Sequence, residues 1–201
     1  MNKLMTGLAI LAPMAMAGNR GASDSWFSMK ANANSSATID IYDEIGGWGI
    51  SAKEFANQLK ALGNVHEIQL NIHSPGGDVF DGMAIYNLLS SHPATINVRI
   101  DGLAASMASV IAMVGDTITM PENSMMMVHK PWGIQGGNAE QMREYAELLD
   151  KVENTLLSAY VKKNRPTRWK GISYLEAETW FSAKECVELG FADVLDEPFE
   201  L

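Results

Sequence analysis

Residues 66–100 read HEIQLNIHSPGGDVFDGMAIYNLLSSHPATINVRI, and this stretch decides the fold. Ile68, Leu70 and Ile72 alternate with polar residues, the period of a strand with one buried face. Ser74-Pro75-Gly76-Gly77 is a turn. Asp78 to Ser91 takes helical spacing, with Met83, Tyr86 and Leu89 on its apolar stripe. Thr95 to Ile100 alternates again. Strand, helix and strand in succession make a crossover unit, which sets two strands parallel.

The alternation continues in both directions. Upstream, ATIDIYDEI (residues 37–45) has strand period, and Gly46-Gly47 breaks it. Ser51 with Glu54 three residues later is a capping-box pattern. The helix it opens carries Phe55, Leu59 and Leu62 on one face and stops at Gly63. Downstream, the small-residue run LAASMASVIAMVG (residues 103–115) reads as a buried helix. Asp116 to Met120 and Ser124 to Val128 read as short strands around Pro121-Glu122-Asn123. Asn138 to Lys163 is the clearest amphipathic helix, roughly 37 Å long at 1.5 Å per residue. That length exceeds one compact layer, so the helix is expected to project and to serve assembly. Trp180 to Leu189 reads as a last helix closed by Gly190, and Phe191 to Leu195 as a last strand. The expectation is an α/β fold in one domain over residues 37–201.

Composition narrows the class. The chain has 201 residues, 47% of them hydrophobic and 19% charged, enough for a sizeable core without staples. The net charge of −9 argues against a nucleic-acid partner, whose phosphates call for Lys and Arg. A single cysteine, Cys186, excludes an intrachain disulfide and any multi-cysteine metal site. No His-Glu-x-x-His occurs, and His66, His73 and His92 have no acidic or cysteine partner at ligand spacing, so neither metal nor cofactor is expected. Residues 1–17, MNKLMTGLAILAPMAMA, place a lysine, an apolar run and Ala-Met-Ala in the order of a secretory signal. The run is too short and too broken by Gly7 and Pro13 to span a membrane. The other reading is a removable leader of a cytoplasmic protein. Gly18 to Ser36 is small and polar and reads as a flexible lead-in, so residues 1–36 are taken together as the leader.

Three places could carry chemistry. His73-Ser74-Pro75-Gly76-Gly77 joins a strand to a helix, where glycines let backbone N–H groups approach a ligand. It also suits an ordinary strand-to-helix turn, and no phosphate-loop Gly-Lys-Ser/Thr follows. Ser106 is ringed by tiny side chains in GLAASMAS, as a nucleophile on a sharp turn requires. Small-residue helix packing gives the same pattern, which is not Gly-x-Ser-x-Gly. His129 follows the apolar run Met125 to Val128 and suits a general base or a structural histidine. Spacing alone does not pair Ser106 with His129, because a triad is recognised by geometry.

Taken together, NIHSPGGDVFDGMAIYNLL, DGLAASMAS, MPENSMMMVHKPWG and AETWFSAKECVELGFAD resemble the proteolytic subunit family of Clp proteases. SWFSMKA and IYDEIGGWG are most similar to the Clp-like head-maturation (prohead) proteases of phages and prophages. The resemblance spans about Trp26 to Asp193. It implies a ClpP/crotonase-like fold of repeated β-β-α units with a projecting handle helix, and a serine endopeptidase of capsid, scaffold or unfolded polypeptides. It implies Ser106 as nucleophile, His129 as general base, and the N–H groups of Gly77 and Met107 as oxyanion hole. The family's triad aspartate falls here on Glu178, with Glu176 as fallback. The resemblance further implies a homo-oligomer of heptameric rings, a cytoplasmic setting, no membrane association, and a separate ATP-dependent unfoldase. Three other readings share the sequence: a catalytically inactive Clp-like ring; a crotonase-fold enzyme of acyl-thioesters, which would need neither Ser106 nor His129; and an exported protease resembling signal-peptide peptidase A, whose Ser–Lys dyad finds no lysine placed like that family's base.

Overall fold

The computed structural model describes residues 27–47, 49–161 and 171–196. The signal-like segment, most of the lead-in and the expected end of the long helix at Lys163 lie outside the described residues. In chain order the elements are β1 (Phe27–Ala31), β2 (Ser36–Ile41), α1 (Ala52–Ala61), β3 (Glu67–Ser74), α2 (Val79–Ser90), β4 (Thr95–Ala105) and α3 (Met107–Ala112). There follow β5 (Thr117–Pro121), β6 (Met125–Val128), α4 (Ala139–Tyr160), α5 (Gly171–Glu176), β7 (Thr179–Ser182), α6 (Ala183–Leu189) and β8 (Val194–Asp196).

The alternation read from the sequence gives a mixed α/β sheet. Its main path runs β1-β2-β3-β4-β5-β8. β2, β3, β4, β5 and β8 are parallel neighbours, and β1 lies antiparallel on β2. One face is the core: Ile39, Ile68, Leu70, Ile72 and Ile100 are fully buried with Phe55 of α1 and Ile85 and Leu89 of α2. The opposite face is polar and internally bonded. Asn71 Nδ2 donates to Asp40 Oδ1 at 2.8 Å, and Arg99 bridges Asp101 and Asp196 at 2.9 and 2.7 Å. Ser51 caps α1 by accepting the Glu54 N–H, and Asp78 caps α2 by accepting those of Phe80 and Asp81.

Four expectations are corrected. Phe27–Ala31, read as flexible lead-in, is an edge strand, and Phe27 packs 5.8 Å from Phe55. The sheet therefore includes residues before 37. The strand expected to end at Ile100 runs on to Ala105. Gly102 does not stop it, because His73 lies where a side chain at 102 would project. The buried helix expected over residues 103–115 shrinks to α3, since Leu103 to Ala105 pair in parallel with Met125 to Met127 of β6. Finally, Thr179–Ser182 is a strand antiparallel to β6, not the start of a helix. Ser182 instead caps α6 in a capping box with Glu185.

The long helix spans 22 residues from an Asn138 capping box to Tyr160. Only its C-terminal part is seated: Val152, Leu156, Ala159 and Tyr160 are buried, whereas Met142 and Leu148 are exposed. No helix among the described residues is long and apolar enough to cross a membrane.

Candidate active site

β4 and β6 bring the first two candidate residues together. They run parallel with Ala105 opposite Met127, so both strands deliver their next residues to one end of the sheet. In open α/β sheets that carboxyl end is where ligands bind. The Ser106 N–H donates to the Met127 carbonyl at 2.9 Å. Ser106 then turns the chain into α3 at φ 52°, ψ −125°, a conformation a serine rarely holds. His129 follows β6 directly. Its Nε2 lies 2.7 Å from Ser106 Oγ.

The same strand logic places the acid. β6 and β7 are antiparallel with Val128 opposite Thr179. Glu178, the residue before Thr179, lies near enough to His129 for its charge to act on the imidazole. No hydrogen bond joins the two in this structure; Glu178 is exposed and acts on the imidazole through its charge. Glu178 also has a positive φ of 47°. Burial holds the His129 pKa below the ordinary histidine value, and the nearby Glu178 charge partly opposes this. The imidazole is therefore neutral near pH 7, the form that accepts a proton. Glu176 is engaged elsewhere, accepting from Lys130 Nζ at 3.3 Å.

The glycine turn packs against the serine. Gly76 has φ 92°, and a Cβ on it would lie 2.7 Å from both the Ala105 carbonyl oxygen and the Ser106 Cβ. Only glycine permits that approach. The Ser74 hydroxyl secures the loop, donating to the Asp43 carbonyl at 2.7 Å and accepting the Gly76 N–H at 3.1 Å. Gly77 (φ 145°) pairs with Ile45 through a bridge whose two bonds use the Gly76 carbonyl and the Asp78 N–H. That bridge leaves the Gly77 N–H out. Met107 is the first residue of α3, so its N–H is one of those that find no partner inside a helix.

Three nearby residues were not singled out in the sequence. Glu153 and Tyr160 of α4 line a cavity of about 20 Å³ that borders Ser106 and His129. Ser109 is fully buried one turn after Ser106. Nothing in sequence spacing ties residues on α4 to Ser106, and Ser109 reads as one more small helix residue.

A serine on a strand-to-helix corner, set against a histidine from the neighbouring strand, is the arrangement of a serine-type peptidase. Comparison with known proteins agrees and is more particular. A family model described as Clp protease matches residues 20–198. The chain is 34% identical over 139 residues to the ATP-dependent Clp protease proteolytic subunit of Streptococcus pneumoniae (strain Hungary19A-6), covering 67% of this chain and 71% of that protein. The same identity and coverage hold for the subunit so named in Streptococcus pneumoniae (strain CGSP14). The chain belongs to the Clp protease family.

Proposed function

We propose that this protein is a serine endopeptidase in which Ser106 is the nucleophile and His129 its general base. The observation that carries the reading is the 2.7 Å contact between Ser106 Oγ and His129 Nε2. With its ring proton on Nδ1, His129 accepts the serine proton as Oγ attacks the scissile carbonyl. The oxyanion that forms is held by the N–H groups of Gly77 and Met107. His129 then gives the proton to the leaving amine, and water hydrolyses the Ser106 ester by the same route in reverse. Glu178 is the acid of the triad. It favours the imidazolium by charge.

The substrate class is polypeptide, and unfolded or precursor chains such as phage capsid and scaffold proteins fit the segments that resemble head-maturation proteases. The relatives' names, with their ATP dependence and the word subunit, support a separate ATP-dependent partner and assembly, and the projecting α4 suits assembly; the homo-oligomeric ring, the cytoplasmic setting and an unfoldase as that partner are part of the proposal. The test is hydrolysis of an unstructured polypeptide such as casein by the purified protein. Cleavage that Ser106→Ala abolishes supports the reading. Cleavage that persists in Ser106→Ala, or acyl-thioester hydrolysis indifferent to Ser106, overturns it.

A further inference from the structure

We infer that Ser109 and Tyr160 are positioning residues that aim the peptide unit following the nucleophile, an inference that rests on the serine-peptidase reading. The Ser109 hydroxyl donates to the Ser106 carbonyl oxygen at 2.6 Å, and the Ser109 N–H donates to the same oxygen at 3.0 Å. The Ser109 Oγ also lies 2.7 Å from the Tyr160 hydroxyl oxygen. A serine hydroxyl has one proton. Since that proton goes to the Ser106 carbonyl, the Tyr160 hydroxyl is the donor in the second bond. The result is a directed chain from Tyr160 O–H to Ser109 O–H to the Ser106 carbonyl. Ser109 is 0% exposed and Tyr160 6%, so water does not compete for these bonds. Burial also pushes the Tyr160 pKa upward, which keeps its proton in place.

The consequence follows from peptide planarity. The Ser106 carbonyl and the Met107 N–H belong to one trans peptide and point in opposite directions. Fixing the carbonyl fixes the N–H, which is a proposed oxyanion donor. The same bonds hold the ψ of Ser106, −125°, in the rarely populated conformation that the residue adopts. Tyr160 closes α4, so the last residue of the long helix supports the geometry of the nucleophile through Ser109.

The test is the saturation kinetics of covalent labelling by a fluorophosphonate probe, with the adduct mapped by mass, on full-length wild type, Tyr160→Phe, Ser109→Ala and the double variant. Probe affinity is expected to change little, because the relay acts on the reacting geometry. The maximal labelling rate is expected to fall about 3–10-fold in Tyr160→Phe and about 10–100-fold in Ser109→Ala, less than the about 10²–10³-fold cost of losing an oxyanion donor outright. The double variant is expected to match Ser109→Ala, because Tyr160 acts only through Ser109. It removes both hydroxyls, so it also serves if Tyr160→Phe alone fails to fold. Losses that multiply in the double variant, or a folded Tyr160→Phe that labels at the wild-type rate, overturn the relay alone. Wild type that takes no label on Ser106 overturns the serine-peptidase reading and the relay with it.

Discussion

At the residue scale, the site depends on one imidazole kept neutral. His129 titrates below the ordinary value of 6.5 because burial disfavours its charged form, while Glu178 partly restores it. The base works only when deprotonated. Activity is therefore expected to be level near pH 7 and to fall on acidification, with a midpoint under 6.5. The unfolded chain takes up this proton at higher pH than the native one. Native stability thus also drops as pH falls through 6.5, and stops dropping on this account once the native imidazole titrates. Glu178→Gln is expected to move the acid limb further down. Its cost in turnover should be far smaller than the about 10⁴-fold loss that follows replacement of a buried, hydrogen-bonded triad acid. A pH–rate profile of labelling in both proteins checks these signs. An acid limb that moves upward in Glu178→Gln would contradict them.

At the element scale, β6 is the strand on which the site turns. It pairs with β4 on one side and β7 on the other, and so sets Ser106, His129 and Glu178 at one end of the sheet. Met126 is fully buried at the centre of this short strand. Met126→Ala is expected to cost about 2–5 kcal/mol, as large-to-small core changes do, and to slow labelling in the protein that remains folded. Denaturant unfolding with an unchanged slope and a lower midpoint would show it. A loss below about 1 kcal/mol would mean that β6 is not a packed core strand. The βαβ rhythm around residues 66–100 was legible because Ile68, Leu70 and Ile72 give a clean period of two, and because Asp78 caps the helix that follows. The C-terminal half of β4 was not. Leu103-Ala104-Ala105 has no alternation to read, and its strand state comes from pairing with Met125 to Met127. The antiparallel β7 was hidden for the same reason: Trp180 and Phe181 carry apolar character but no period. The positions that resemble the Clp pattern were legible as motifs. The Tyr160–Ser109 relay was not, because 51 residues separate its members.

At the scale of the whole molecule, one end is finished and the other is not. The sheet and its helices bury a continuous core, and the polar sheet face satisfies itself with ion pairs and amide bonds. The segment before α4 and its N-terminal part instead leave Trp132, Ile134, Met142 and Leu148 exposed at 70%, 90%, 48% and 44%. Contiguous apolar exposure is what association surfaces present, and assembly through this segment is the expectation to test. Ile134→Asp combined with Met142→Asp is expected to shift the sedimenting species toward smaller assemblies while the thermal midpoint of the monomer fold holds. An unchanged assembly would place the association surface elsewhere. The proposed chemistry requires that Ser106 be a nucleophile driven by His129. The most direct measurement is mass mapping of a fluorophosphonate adduct on the assembled wild-type protein and on His129→Ala. The account predicts an adduct on Ser106 in wild type, with labelling at least about 10³-fold slower in His129→Ala. An adduct that forms at the same rate without His129, or an assembled and folded wild type that takes none, would contradict it.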